Sequence, residues 1–218
     1  YSYEARAIIE KYSIKCSKNV LSLLDSKSEE NPKSNDKIFA NTSYKIIARP
    51  QNSLVSAANL AKSSGFKSLI LSDSIEGEAN DVGIVHASIA KQVIKYGQPL
   101  KPPLCILSGG ETTVKINDIN GKGGRNSQFL LSLAISLNSQ RNIFAIACDT
   151  DGIDGVELNA GSLIFPSTIK RGLDLGMNAK DYLHRNDSYS YFSKLNDLVI
   201  TGPTKTNVND FRAILITE

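Results

Sequence analysis

Apolar and polar positions follow two different periods along this chain. In Glu4 to Ser13, Ala5, Ile8, Ile9 and Tyr12 stand at i, i+3, i+4 and i+7, which predicts an amphipathic helix whose apolar face needs a partner. From Tyr44 onward, short apolar runs (KIIA, KSLILS, LCILS) alternate with longer amphipathic ones (SLVSAANLAKSSG, EANDVGIVHASIAKQVIKYG). Asn52 or Ser53 suits the N-cap of the first of these helices, and Gly65 and Gly97 stand where the helices should stop. The order β-α-β-α-β predicts a layered α/β fold with parallel strands. The polar stretch Ser26 to Lys37, with Pro32, predicts a surface loop, and the stiff PLKPP break at Pro99 to Pro103 a domain boundary. Beyond it the pattern predicts a strand at Thr112 to Ile116, a helix at Arg125 to Leu137 and a strand at Asn142 to Ala147. A helix opened by Pro166 then runs toward Leu173, and FRAILI forms a final strand. There is no internal repeat.

Composition narrows the function. With 218 residues, 41% of them hydrophobic, the chain can bury one large core or two modest ones. Its 25 basic and 22 acidic residues leave a charge of only +3, with no basic block, which argues against a dedicated nucleic-acid binder. The longest apolar run, Ile143 to Cys148, is far short of the roughly 20 residues of a membrane span. The N-terminus lacks the layout of a secretory signal, and Cys16, Cys105 and Cys148 are odd in number and far apart. A reducing, cytoplasmic setting is expected. The chain starts at Tyr1 and enters a helical pattern at once, so the expectation is a piece of something longer.

Four turn-rich strings follow apolar runs, where α/β proteins place their functional loops. In LCILSGGETT, Gly109 and Gly110 precede Glu111, Thr112 and Thr113: either a tight turn, or a loop whose backbone N–H groups and hydroxyls approach an anion. In GKGGRN, Gly123, Gly124 and the backbone of Arg125 and Asn126 could form an anion site at a helix N-terminus, with the Arg125 fork added; the other reading is a glycine turn followed by a surface arginine. The glycine spacing fits neither the dinucleotide nor the P-loop fingerprint. CDTDGIDG gathers Asp149, Asp151 and Asp154, a set suited to Mg²⁺ or to a pair of Asp-Gly turns, but it lacks the ligand pattern of a calcium loop. TGPTKTNVND offers Thr204, Thr206 and Asn207 to a small polar ligand, or simply connects two strands. His86 and His184 have no partners at ligand spacing and read as surface or packing residues. No G-x-S-x-G elbow is present.

Order and spacing make these strings distinctive. LSGGETTV, GGRN opening a helix, TDGIDG, NDSY at Asn186 to Tyr189 and TGPTKTNVNDFRAILI together resemble the C-terminal MOFRL domain of the class II glycerate kinases, the glycerate 2-kinase family, over about Pro103 to Ile216. EARAIIEKYSI, the Asn52 helix and SDSIEGEA resemble the tail of that family's larger N-terminal domain. The resemblance implies a layered α/β/α domain at 101–218, preceded at 1–100 by the partial tail of a Rossmann-like α/β domain. It also implies ATP-dependent phosphorylation of D-glycerate at its 2-hydroxyl, with ATP and Mg²⁺ as cofactors and no role for nucleic acid or membrane.

On that basis Arg125 stabilises transition-state charge. Gly109, Gly110, Glu111, Thr112, Gly124, Asn126, Thr204, Thr206 and Asn207 are expected to contact substrate or nucleotide, and Asp151 and Asp154 to meet Mg²⁺ or the substrate hydroxyl. Two departures stand out: Ser127-Gln128 where relatives usually carry Gln-Glu, and Cys148-Asp149 where they carry small residues. The family's catalytic lysine lies in an N-terminal half that has no counterpart here, so that half is an expected partner, a homo-oligomer is a further possibility, and the chain alone is expected to be inactive. Two alternatives stand beside this reading: a hydroxypyruvate reductase-type oxidoreductase, against which the missing dinucleotide fingerprint counts, and a non-catalytic ligand-binding module.

Overall fold

Two helices open the chain, α1 at Ser2–Lys11 and α2 at Lys18–Ser26. Neither buries a residue, and they are tied to each other by the Arg6–Asp25 ion pair. The structure, a computed structural model, describes residues 1–26 and 31–218, so the expected Ser26 to Lys37 loop lies partly outside the described residues. The described chain divides into two compact units, Tyr1–Ile46 and Ile47–Glu218. No described helix is long and apolar enough to cross a membrane.

The second unit is built around one mixed sheet. In chain order its elements are α3 (Pro50–Ser63), β1 (Lys67–Ile70), β2 (Ile75–Glu78), α4 (Ala79–Tyr96), β3 (Leu104–Thr113), α5 (Arg125–Leu137) and β4 (Ile143–Asp149). They continue with β5 (Gly161–Ile164), α6 (Thr168–Asp174), α7 (Ala179–His184), α8 (Ser188–Leu195), β6 (Leu198–Val199) and β7 (Asp210–Ile216). The strand order is β1-β3-β7-β4-β5-β6, and β2 continues the β1 edge along the far end of β3. Alternation sorts the strand residues onto two faces. Leu104, Ile106, Ile143, Ala145, Ala147, Ile214 and Ile216 join one core with α4, α5, α7 and α8. Cys105, Leu107, Phe211, Ala213 and Leu215 face α3 through Leu54, Ala58 and Ala61. The result is the expected α/β/α layering.

Several expectations need correcting. KIIA forms no strand, and Ile46 and Ile47 are exposed. Helix α3 starts earlier than its candidate caps suggested: Pro50 occupies the first turn, and Asn52 Oδ1 accepts from the Arg49 N–H at 2.9 Å. The strands are only partly parallel, because β7 inserts antiparallel between β3 and β4. The sheet runs across Pro99 to Pro103, since β1 pairs in parallel with β3, and the compact units part at Ile46/Ile47. Finally, SGGET is no turn and Thr112 starts no new strand, because β3 continues unbroken through both glycines to Thr113.

Gly110 shows why those glycines are there. Its φ is +121°, and a Cβ would lie 2.2 Å from the backbone N and O of Ile75 on β2. Small size is thus needed for β2 to close on β3. Gly65 has φ +86° but open space around it. Gly110→Ala is therefore expected to cost more than about 2 kcal/mol in urea unfolding and Gly65→Ala about 1 kcal/mol. Equal losses would contradict the steric account.

Candidate functional site

Helix α5 begins where the sequence places it, with Gly124 as N-cap. Its N-terminus is the anion site expected from GKGGRN, but the anion belongs to the protein. Asp154 Oδ1 accepts from the Asn126 N–H at 2.9 Å and its Oδ2 from the Ser127 N–H at 2.8 Å. A Cβ on Gly124 would come within 2.3 Å of Asp154, so the glycine is what admits the carboxylate. Asp154 is 1% exposed. Burial raises its pKa, while the helix N–H groups oppose that shift.

Arg125, the first residue of α5, is fixed by three acids from three strands. Its Nε donates to Asp210 Oδ1 at 2.8 Å and its Nη2 to Asp149 Oδ2 at 2.6 Å, while Nη1 lies 3.3 Å from Glu111 Oε1. Pairing in the sheet brings these acids together: Asp210 at the start of β7 stands opposite Gly110 on one side and Asp149 on the other. Asp210 Oδ1 also accepts from Asn126 Nδ2 at 2.8 Å, and its Oδ2 from Arg212 Nη2 at 2.5 Å and the Thr112 N–H at 3.3 Å. Arg212 further donates to Gly109 O and Thr112 Oγ1, both at 3.2 Å. Burial lowers the Arg125 pKa, but hydrogen bonding and charge from Asp210, followed by Asp149 and Glu111, raise it more.

Arg125 lines a cleft of about 720 Å³, together with Glu76, Glu111, Thr112, Gly123, Gly124 and Gln128. Among the expected contacts, Glu111, Thr112, Gly124 and Arg125 are thus brought together. Gly109 and Gly110 lie within the sheet and do not line the cleft, and Asn126 is fully buried and committed to Asp210. Thr204 and Thr206 line a separate cleft of about 360 Å³ with Cys148, Asp149 and Phe211. Thr204 Oγ1 donates to Thr150 O at 2.5 Å and Asn207 Nδ2 to Asp151 Oδ2 at 3.4 Å, so this loop is stitched to the DTDG turn. The Arg125–Asp149 pair thereby joins a residue of each cleft.

Asp151 and Asp154, the expected Mg²⁺ ligands, both accept hydrogen bonds from backbone N–H groups. Asp154 caps α5, and Asp151 Oδ1 accepts from the Ile153 N–H at 2.8 Å in its own turn. Asp149 and Asp210 are taken up by Arg125. Among the described residues no group of three or more His, Cys, Asp or Glu is placed to hold a metal ion, and a Mg²⁺ held by one or two carboxylates with substrate phosphates would share Asp151 and Asp154 with these contacts. His86 is a packing residue: it is 3% exposed, its Nε2 is 3.0 Å from Ser108 Oγ, and burial pushes its pKa down to about 4.

Two members of the network escaped the sequence reading, Asp210 and Arg212. The signal was an arginine inside the otherwise apolar FRAILI, preceded two residues earlier by an aspartate on the same strand face.

Residues 104–210 match the model of the MOFRL family. A D-glycerate 2-kinase of Thermotoga maritima is 38% identical over 209 residues, covering 96% of this chain and 48% of that protein. The crystal structure of the glycerate kinase of the same organism superposes with a TM-score of 0.82, covering 99% of this chain and 50% of that one. A relative from Agrobacterium vitis, with the provisional name of a hydroxypyruvate reductase, is 44% identical over 214 residues, covering 98% of this chain and 48% of that protein. The chain spans about half the length of these curated relatives.

Burial pushes the Asp149 carboxyl up to about 6, against the opposing pull of the Asp151 N–H and Arg125. A raised folded-state value means that the folded protein keeps this proton between about pH 4 and pH 6, where the unfolded chain has lost it. Stability from this group is therefore present at low pH and lost as pH rises through about 6. Comparing pH-dependent urea unfolding with that of Asp149→Asn should show the fall between pH 4 and 6 diminished in the variant; an identical slope would contradict the shift.

Proposed function

The chain belongs to the glycerate kinase family, with its MOFRL domain at residues 104–210, and from that premise we propose that it is the C-terminal half of an ATP-dependent glycerate 2-kinase. The observation that carries this reading is Arg125: a permanently charged fork on the wall of a cleft, held by two buried carboxylates and only 26% exposed.

Phosphoryl transfer asks the protein to place its partners in line and to neutralise charge on the transferred group. In the proposed reaction the 2-hydroxyl oxygen of D-glycerate forms a bond to the γ-phosphorus of ATP and the bond to the β-γ bridging oxygen breaks. ADP leaves, and the hydroxyl proton is released. Arg125 meets the negative oxygens. Asp210 and Asp149 keep its guanidinium from swinging, so little reorganisation is needed when charge develops. The half of the family's polypeptide not matched here supplies the opposing wall and the lysine. The 218-residue chain alone is expected to show no turnover.

In the enzyme complete with both halves, Arg125→Ala is expected to lower kcat/KM for D-glycerate on the order of 100-fold or more, read as 2-phosphoglycerate formed per ATP consumed. Undiminished turnover would remove Arg125 from the mechanism. Oxidation of NADH with hydroxypyruvate, without use of ATP, would replace the kinase reading by a reductase.

A further inference from the structure

The three acids around Arg125 are not equivalent. Asp210 and Asp149 have side chains 0% and 6% exposed and sit at 2.8 and 2.6 Å, true charge-assisted hydrogen bonds. Glu111 is 55% exposed and stays 3.3 Å from Nη1, beyond that range. Two partners hold the plane of the guanidinium; the third is an exposed carboxylate resting against the nitrogen they leave free. Its backbone explains why it stays within reach: Glu111 lies on β3, whose geometry is fixed by β2 on one side and β7 on the other.

We propose that Glu111 is a resident stand-in for the ligand: its carboxylate covers Arg125 Nη1 until an oxyanion of the incoming molecule, carboxylate or phosphoryl, takes its place. The exchange trades one ion pair for another at the same donor and leaves Asp149 and Asp210 undisturbed. Breaking the Glu111 contact costs little, because an exposed pair of this kind is weak. It also selects. A neutral polyol that displaces the carboxylate loses an ion pair at Nη1 without replacing it, whereas an anionic oxygen restores one, so anionic ligands are favoured. Between ligands, Glu111 keeps the guanidinium paired beside Glu76, its register partner on β2 and a second acid of the same cleft. The proposal rests on the kinase reading for the identity of the ligand, but not for the exchange itself.

Calorimetric titration of the chain with inorganic phosphate and, separately, with D-glycerate tests it, in wild type, Glu111→Gln, Glu111→Ala and Glu76→Gln at about 0.15 M salt. Removing the competitor should tighten binding of at least one probe about fivefold in both Glu111 variants. Glu76→Gln removes the same charge from the cleft without touching Arg125, and should change binding less than about twofold under screening. In the double variant with Arg125→Lys the gain should vanish. A gain confined to phosphate or to D-glycerate identifies which anion is exchanged. Binding unchanged or weakened in the Glu111 variants, or a gain reproduced in full by Glu76→Gln, would overturn the proposal. Exchange without kinase activity in the complete enzyme would leave the proposal standing and remove the kinase reading. Turnover without the gain would do the reverse.

Discussion

One carboxylate holds the site together. Asp210 is fully buried, and its two oxygens accept from Arg125 Nε, Asn126 Nδ2, Arg212 Nη2 and the Thr112 N–H, groups carried by α5, β7 and β3. Four donors offset the desolvation of this buried charge, whereas removal of the carboxylate would leave all four, two of them cationic, without their acceptor. The constraint also runs backward into the fold. Asp210 can meet Arg125 only because β7 lies between β3 and β4, and its first residue is level with Gly110 and with Asp149.

The same small region answers two electrostatic problems in different ways. The N-terminus of α5 is a natural place for a foreign anion, yet Asp154 fills it and Gly124 makes room for Asp154. That end of the helix is finished internally, which locks the orientation of the residue that starts it. Arg125 is left as the cationic group lining the larger cleft, stiff because its Nε and Nη2 are committed and available because, among the described residues, Nη1 faces an exposed glutamate.

Much of this was legible in the chain. The helix over Arg125 to Leu137 and the final strand FRAILI came directly from periodicity and glycine placement, and the ordered motifs identified the family. Local patterning does not encode what a string does once neighbours arrive. SGGET has the composition of a turn, but two flanking strands make it the middle of β3. TDGIDG has the composition of a metal loop, and the fold gives its acids further partners, the α5 N-terminus for Asp154 and the turn's own backbone for Asp151. KIIA has strand periodicity, but a strand needs a partner, and none of the described residues supplies one. Conversely, Asp149 looked like an unexplained departure and proves to be one of the two acids that hold Arg125 in place.

The central claim is that Arg125 presents a preorganised, replaceable position to a substrate oxyanion. A crystal structure of the chain with D-glycerate or inorganic phosphate bound tests this most directly. The account predicts an anionic oxygen on Arg125 Nη1 in the larger cleft, Glu111 turned away, and the contacts to Asp210 and Asp149 unchanged. Density for the ligand only in the cleft of Thr204 and Thr206, or an Arg125 that has left Asp210 to reach its ligand, would contradict it.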